Sequence, residues 1–197
     1  MSEDAIRDKD AAEKTGDTAA GHNQPVWERW QKKRTFVRAL EGTYGEVYKS
    51  LYAQPRVIPT ASIDWHGGPA YFHKIALSPQ NVQIAQSIEC HVDCFGPSAY
   101  GQKHGHMNSA VFFILSGRGY DVHDGRKLTY EAGDASVVET ACVHQHFNAQ
   151  PDEQMVCLVM KAKPLFLFMH MVFQKTVEYP SDTLPKGHED FTPPSNI

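Results

Sequence analysis

From residue 27 the apolar positions fall at Trp27, Trp30, Val37, Leu40, Tyr44, Val47, Tyr48 and Leu51. Intervals of three, four and seven place them on one face of a helix. Pro25, preceded by Asn23 and Gln24, suits a helix start, and Gly42 and Gly45 are possible breaks. The pattern predicts an amphipathic helical segment over 23–54, preceded by a polar, disordered tail over 1–22. After Pro55 the period becomes two. Val82, Ile84, Ile88, Cys90, Val92 and Cys94 share one parity, and Ala85, Ser87, Glu89, His91 and Asp93 the other. That alternation predicts a strand over 82–94 with the apolar parity buried. Further strands are predicted over 69–77, 98–106, 110–115, 118–123, 135–139, 143–148, 154–162 and 165–174. Many short strands separated by Gly, Pro, Asp and Asn turns predict an all-β sandwich or barrel over 55–178. The proline-rich residues 179–197 read as an extended tail.

The chain has 197 residues, 41% of them hydrophobic, which fits one domain with appendages. A net charge of -4 calls for neither a nucleic-acid partner nor an anionic membrane. The longest apolar run, 164–173, is far short of the roughly 18 residues of a membrane span. The first residues are acidic and show no apolar leader, so the expected compartment is the cytoplasm, with Cys90, Cys94, Cys142 and Cys157 as free thiols. Cys90 and Cys94 on one strand would lie about 13 Å apart, beyond the roughly 7 Å that a disulfide spans.

Histidine is abundant, with 11 residues, and it clusters. His104 and His106 stand one residue apart, and so do His144 and His146, each pair on a predicted strand. Alternate residues of a strand face the same way, so each pair presents two imidazoles together. Paired imidazoles are metal-ligand chemistry. Tyr100 and Gln102 share the parity of His104 and His106 and are candidates to hydrogen-bond a bound molecule. Cys142 shares the parity of His144 and reads as lining rather than ligand. His170, flanked by apolar residues, reads as a satisfied core histidine.

Residues 101–148 resemble the two motifs of the cupin family. The first runs Gly101, His104, His106, Gly117, and the second Gly133, Asp134, His144, Asn148. The resemblance implies a single cupin, a small antiparallel β-barrel or jelly roll with its metal inside, here with an N-terminal helical extension. It implies His104, His106 and His144 as metal ligands. The Glu of the first motif is absent, with Ala110 and Val111 at its positions, and Glu139 and Ala141 replace the proline and glycine of the second. "HGHMNSAVFFILSG", "VHDGRKLTYEAGD" and "VHQHFN" are similar to the gentisate and salicylate 1,2-dioxygenase branch. In that branch three histidines hold iron(II), and the later histidine, His146 here, sits beside the site. The arginine that pairs with a substrate carboxylate is Phe112 in this chain, and a phenyl ring cannot replace a guanidinium fork.

These features lead to the expectation of an Fe(II) dioxygenase that uses O2 to cleave a C–C bond of an uncharged phenolic, hydroxyketone or enol-type small molecule. His146 would be the acid–base residue, and Phe112 and Ile114 the apolar pocket wall. A lyase, isomerase or decarboxylase using Zn, Mn, Ni or Fe on the same ligands is the alternative, with Cu a further candidate metal for the site. A non-catalytic ligand-binding cupin is a third reading. Neither nucleic acid nor membrane is expected as a partner, since the first 55 residues are too short for a helix-turn-helix and linker. A homodimer is expected from the barrel edges and the amphipathic helix.

Overall fold

The structure, a computed structural model, describes residues 49, 51–79, 81 and 87–197. The tail predicted over 1–22, nearly all of the helical segment over 23–54 and residues 82–86 of the predicted strand lie outside the described residues. From residue 55 onward the chain is built almost wholly of antiparallel strands. In chain order these are β1 (His66–Gly67), β2 (Tyr71–Leu77), β3 (Glu89–Phe95), β4 (Lys103–His106), β5 (Ala110–Ser116), β6 (Arg118–His123), β7 (Arg126–Glu131), β8 (Ala135–Val138), β9 (Val143–Asn148), β10 (Met155–Lys161) and β11 (Gln174–Glu178). One sheet has the order β1-β2-β3-β10-β5-β8 and the other β11-β4-β9-β6-β7. This is an antiparallel two-sheet, jelly-roll architecture.

The core between the sheets follows from strand parity. On β5, Ala110, Phe112 and Ile114 are buried, and they join Phe95, Tyr130, Met155 and Cys157 in one apolar cluster. Gly119, on β6, permits the closest approach. A Cβ there would stand 2.2 Å from the Phe147 carbonyl oxygen and 2.6 Å from Met155 Sδ. Gly119→Ala is therefore expected to cost about 3 kcal/mol or more, because backbone must move to accept it. A urea midpoint unchanged from wild type would contradict that packing.

Strand β3 corrects the parity expectation. Both of its faces are covered, with Val92, Asp93, Cys94 and Phe95 all buried. Phe95 belongs to the core between the sheets, whereas Val92 and Cys94 pack on the other side against Trp65, Phe72, Phe191 and Ile197. Part of that outer cover is the C-terminal segment, where Pro194 O accepts a hydrogen bond from Trp65 Nε1 at 3.0 Å. Alternation shows which side chains share a face, but not which face looks inward. The polar parity of β3, His91 and Asp93, is the one that lines the interior cavity.

Two other elements differ from expectation. The run 165–174 is not a strand: Lys163–Phe168 forms a helix, α1, and the strand follows it as β11. Pro164 lies in the first helical turn, where its missing N–H and fixed φ are tolerated. Apart from His170 and Gln174 the run is apolar, so it carries no period-two signal. Leu167, Phe168 and Phe173 are exposed. His170 is exposed as well, with φ 57°, and so is not a core histidine. Strand β7 was not anticipated, because Arg126 and Lys127 obscure its alternation. Its signal is the turn before it, where Asp124 and Gly125 have φ 45° and 87°. Positive φ at two successive residues is the turn geometry that closes a tight hairpin.

Candidate metal centre

Strands β4 and β9 are neighbours, and their register sets His104 directly opposite His144. His106 lies two residues further along β4, on the same face. The three rings converge, with centroids 4.4 Å apart for His104 and His144, 4.8 Å for His106 and His144, and 5.2 Å for His104 and His106. One ring nitrogen from each falls within 4.8 Å of the other two.

Hydrogen bonds fix which nitrogen each ring offers. His104 Nδ1 lies 3.0 Å from Gln102 O, His106 Nδ1 2.6 Å from Asn108 O, and His144 Nδ1 3.2 Å from Cys142 O. A carbonyl oxygen only accepts, so each Nδ1 carries the proton and donates. Each Nε2 is then an unprotonated lone pair, the tautomer that metal ligation requires. The chemistry of this donor set fits a divalent transition metal such as Fe, Zn, Ni or Cu.

Burial keeps the rings neutral. It lowers the pKa of His144 to about 2 and that of His104 to about 4, and it lowers His106 as well. The unfolded chain takes up protons near pH 6.5 while the folded one does not. Stability contributed by the neutral rings is thus complete above about pH 6.5 and is lost as the pH falls below it. The metal-free protein is expected to show a falling Tm between about pH 6.5 and 4.5, above the usual range of carboxylates. A Tm flat across that window would contradict it.

Beside the cluster stands His146, buried on β9. Its ring stacks on Phe112 with centroids 4.0 Å apart and an interplanar angle of 4°. Its Nδ1 lies 2.5 Å from Asp121 Oδ1, and β6 and β9 register Asp121 against His146. Asp121 is fully buried and also accepts from Tyr130 Oη at 2.9 Å and Ser136 Oγ at 2.8 Å. Burial alone would raise its pKa. Electrostatic coupling to His146, the His123 ring beside it, and hydrogen bonds from His146 and Ser136 outweigh burial and hold it well below the usual carboxylate range. Asp121 therefore orients His146 as a fixed carboxylate and leaves Nε2 as the free nitrogen.

A cavity of about 390 Å³ opens over the cluster. His104, His106, His144 and His146 line it from one sheet, and Tyr71, His91 and Asp93 from the other. Asp93 is buried, with Oδ1 3.5 Å from His91 Nε2. Burial would raise its pKa, but His91 and the Tyr71 hydroxyl prevail and lower it. Lys161 also reaches the cavity, where Glu89 holds its ammonium at 2.9 Å.

The structure thus brings together His104, His106, His144, His146, Gln102 and Phe112 around one cavity. Gln102 donates to Thr176 Oγ1 at 2.6 Å. Two of the anticipated residues are placed elsewhere. Tyr100 is 37% exposed and packs on Phe147, because β4 starts only at Lys103 and strand parity does not extend back to residue 100. Ile114 lies in the apolar core rather than on the cavity wall. Asp121, Tyr71, His91 and Asp93 were not anticipated. Asp121 carried a weak signal, as a charged residue between apolar neighbours on β6, but its partner is fixed only by cross-strand register.

Residues 91–161 match the family described as Cupin domain. No curated protein matches the chain. Among solved structures, salicylate 1,2-dioxygenase from Pseudoaminobacter salicylatoxidans in its adducts with gentisate is similar, with TM-score 0.49 and 16% identity, over 68% of this chain and 33% of that one. An oxalate decarboxylase of Bacillus subtilis is similar with TM-score 0.47 and 23% identity, over 50% of this chain and 27% of that one. The chain thus spans about a third of the length of the dioxygenase.

Proposed function

We propose, from the premise that this chain carries a cupin domain, that it is a mononuclear non-haem iron(II) dioxygenase. Its substrate would be a phenolic, hydroxyketone or enol-type small molecule in which a C–C bond is cleaved. The observation that carries the proposal is the donor set. His104, His106 and His144 offer three neutral Nε2 lone pairs to one cavity, and among the described residues no carboxylate joins that group. Iron(II) held there would supply Lewis acidity toward the substrate hydroxyl and the one-electron chemistry that O2 needs.

The protein's own residues account for the remaining parts of the reaction. Asp121 keeps the His146 proton on Nδ1, so His146 Nε2 accepts the proton of the substrate hydroxyl as it binds. Phe112 holds the His146 ring by stacking and forms the apolar wall that excludes water from the bound molecule. Glu89 neutralises Lys161, which favours an uncharged substrate over a carboxylate. The protein would work with a small molecule and O2 as a cytoplasmic homodimer, with neither nucleic acid nor membrane as partner. No helix among the described residues is long and apolar enough to cross a membrane.

Isotope labelling tests the reaction class. A single turnover under 18O2 is expected to place both labelled atoms in the product. Product without label, formed equally well without oxygen, would instead support a metal-dependent lyase, isomerase or decarboxylase. One observation favours that second reading. Tyr71, Asp93 and His91 form another acid–base group on the facing wall, with His91 Nε2 3.5 Å from Asp93 Oδ1, able to serve proton transfer without O2.

A further inference from the structure

Next to the three-histidine cluster, but off its cavity, lies a second group of donors. We infer that His123, Glu139 and Cys142 form a separate site for a zinc-class divalent ion. One donor atom from each residue falls within 4.8 Å of the others. The main chain is shaped to bring them together. Cys142 N donates to Glu139 O at 3.4 Å, closing a tight turn between β8 and β9, with Ala141 at φ 64°. That turn sets Glu139 and Cys142 beside the end of β6, where His123 registers opposite His144. Glu139 and Ala141 occupy the positions at which the cupin motif has proline and glycine, so the departure from the motif is what supplies the carboxylate.

His123 is the second, independent observation. It is 4% exposed, and neither ring nitrogen finds a partner in hydrogen-bonding geometry. Its Nδ1 nevertheless stands 2.8 Å from Glu139 Oε2, and its Nε2 3.3 Å from Asp121 Oδ2. A metal on Nδ1 would leave Nε2–H to Asp121, the carboxylate–histidine–metal arrangement that commonly orients a ligand. Thiolate, imidazole and carboxylate together suit zinc and exclude the hard cations magnesium and calcium. Cys142 would bind as thiolate and give up its proton to solvent. Glu139 is an exposed side chain, free to move onto the ion. Three protein ligands leave one position for water, as in an exchangeable site.

Cobalt(II) is the probe, added to the full-length chain. Thiolate ligation of cobalt gives an intense near-ultraviolet charge-transfer band that three imidazoles cannot produce. Two equivalents of cobalt per chain are expected, together with that band. Cys142→Ser should remove the band and one equivalent while leaving the other bound. His104→Ala should keep the band. Glu139→Gln, at an exposed position that folding tolerates, should weaken the second equivalent at least tenfold. A single equivalent without the band in the wild-type chain would overturn the inference, as would a band that survives in Cys142→Ser. Either result leaves the three-histidine centre and its proposed reaction unaffected.

Discussion

His144→Ala is expected to abolish metal binding at the cavity and all activity with it. His144 is the ligand common to both short ring contacts, at 4.4 Å from His104 and 4.8 Å from His106. Without it two Nε2 atoms remain beside a void. Loss of an outer-shell partner alone costs roughly 10–100-fold in metal affinity, and loss of a ligand costs more. The wild-type protein should gain about 2.7 kcal/mol of stability at a free metal concentration of 100 times Kd. The part of the metal-dependent rise in Tm that comes from this centre should vanish in the variant. The metal-free variant should not be more acid-sensitive than the wild type, because the ring it lacks is one that burial keeps neutral. Metal analysis after dialysis, paired with thermal unfolding, checks both parts. A variant that retains as much metal as the wild type would remove His144 from the centre.

Asp121→Asn is expected to lower turnover by about 10²–10⁴-fold, the range that positioned acid–base groups contribute, and to leave metal at the three histidines unchanged. Asp121 touches none of the three ligands in hydrogen-bonding distance, but it accepts from His146, Tyr130 and Ser136. An amide has one acceptor oxygen and cannot serve all of them, so the His146 ring loses its fixed tautomer. Asp121→Ala goes further and leaves buried donors without an acceptor, a loss of about 3–5 kcal/mol. The decisive comparison is kcat against metal content in Asp121→Asn. Turnover within threefold of wild type at full metal loading would show that His146 does not need this carboxylate.

The two histidine pairs were legible from spacing because the period of a strand is local: His104 and His106 share a face whatever the rest of the chain does. The same locality explains the failures. Tyr100 has the right parity but lies beyond the start of β4, and nothing in the residues around it marks where pairing begins. On β3 the apolar parity pointed to the core, yet the outer face is covered by Trp65, Phe191 and the C-terminal segment. Trp65 and Pro194, which meet in that cover, are 129 residues apart. Asp121, His91 and Asp93 join the site through cross-strand register and sheet stacking, which no local pattern records. The run 164–173 misled for a different reason: uniform apolar character fits a helix and a buried strand equally.

Oxygen consumption tests the central proposal most directly. The purified chain would be loaded anaerobically with iron(II). Dissolved O2 would then be followed while catechols, hydroquinones, hydroxyacetophenones and β-diketones are offered in turn. The expected result is uptake that requires both iron and one of these substrates, and that is absent in His104→Ala. No uptake with any of them, despite stoichiometric iron at the three histidines, would contradict the dioxygenase reading.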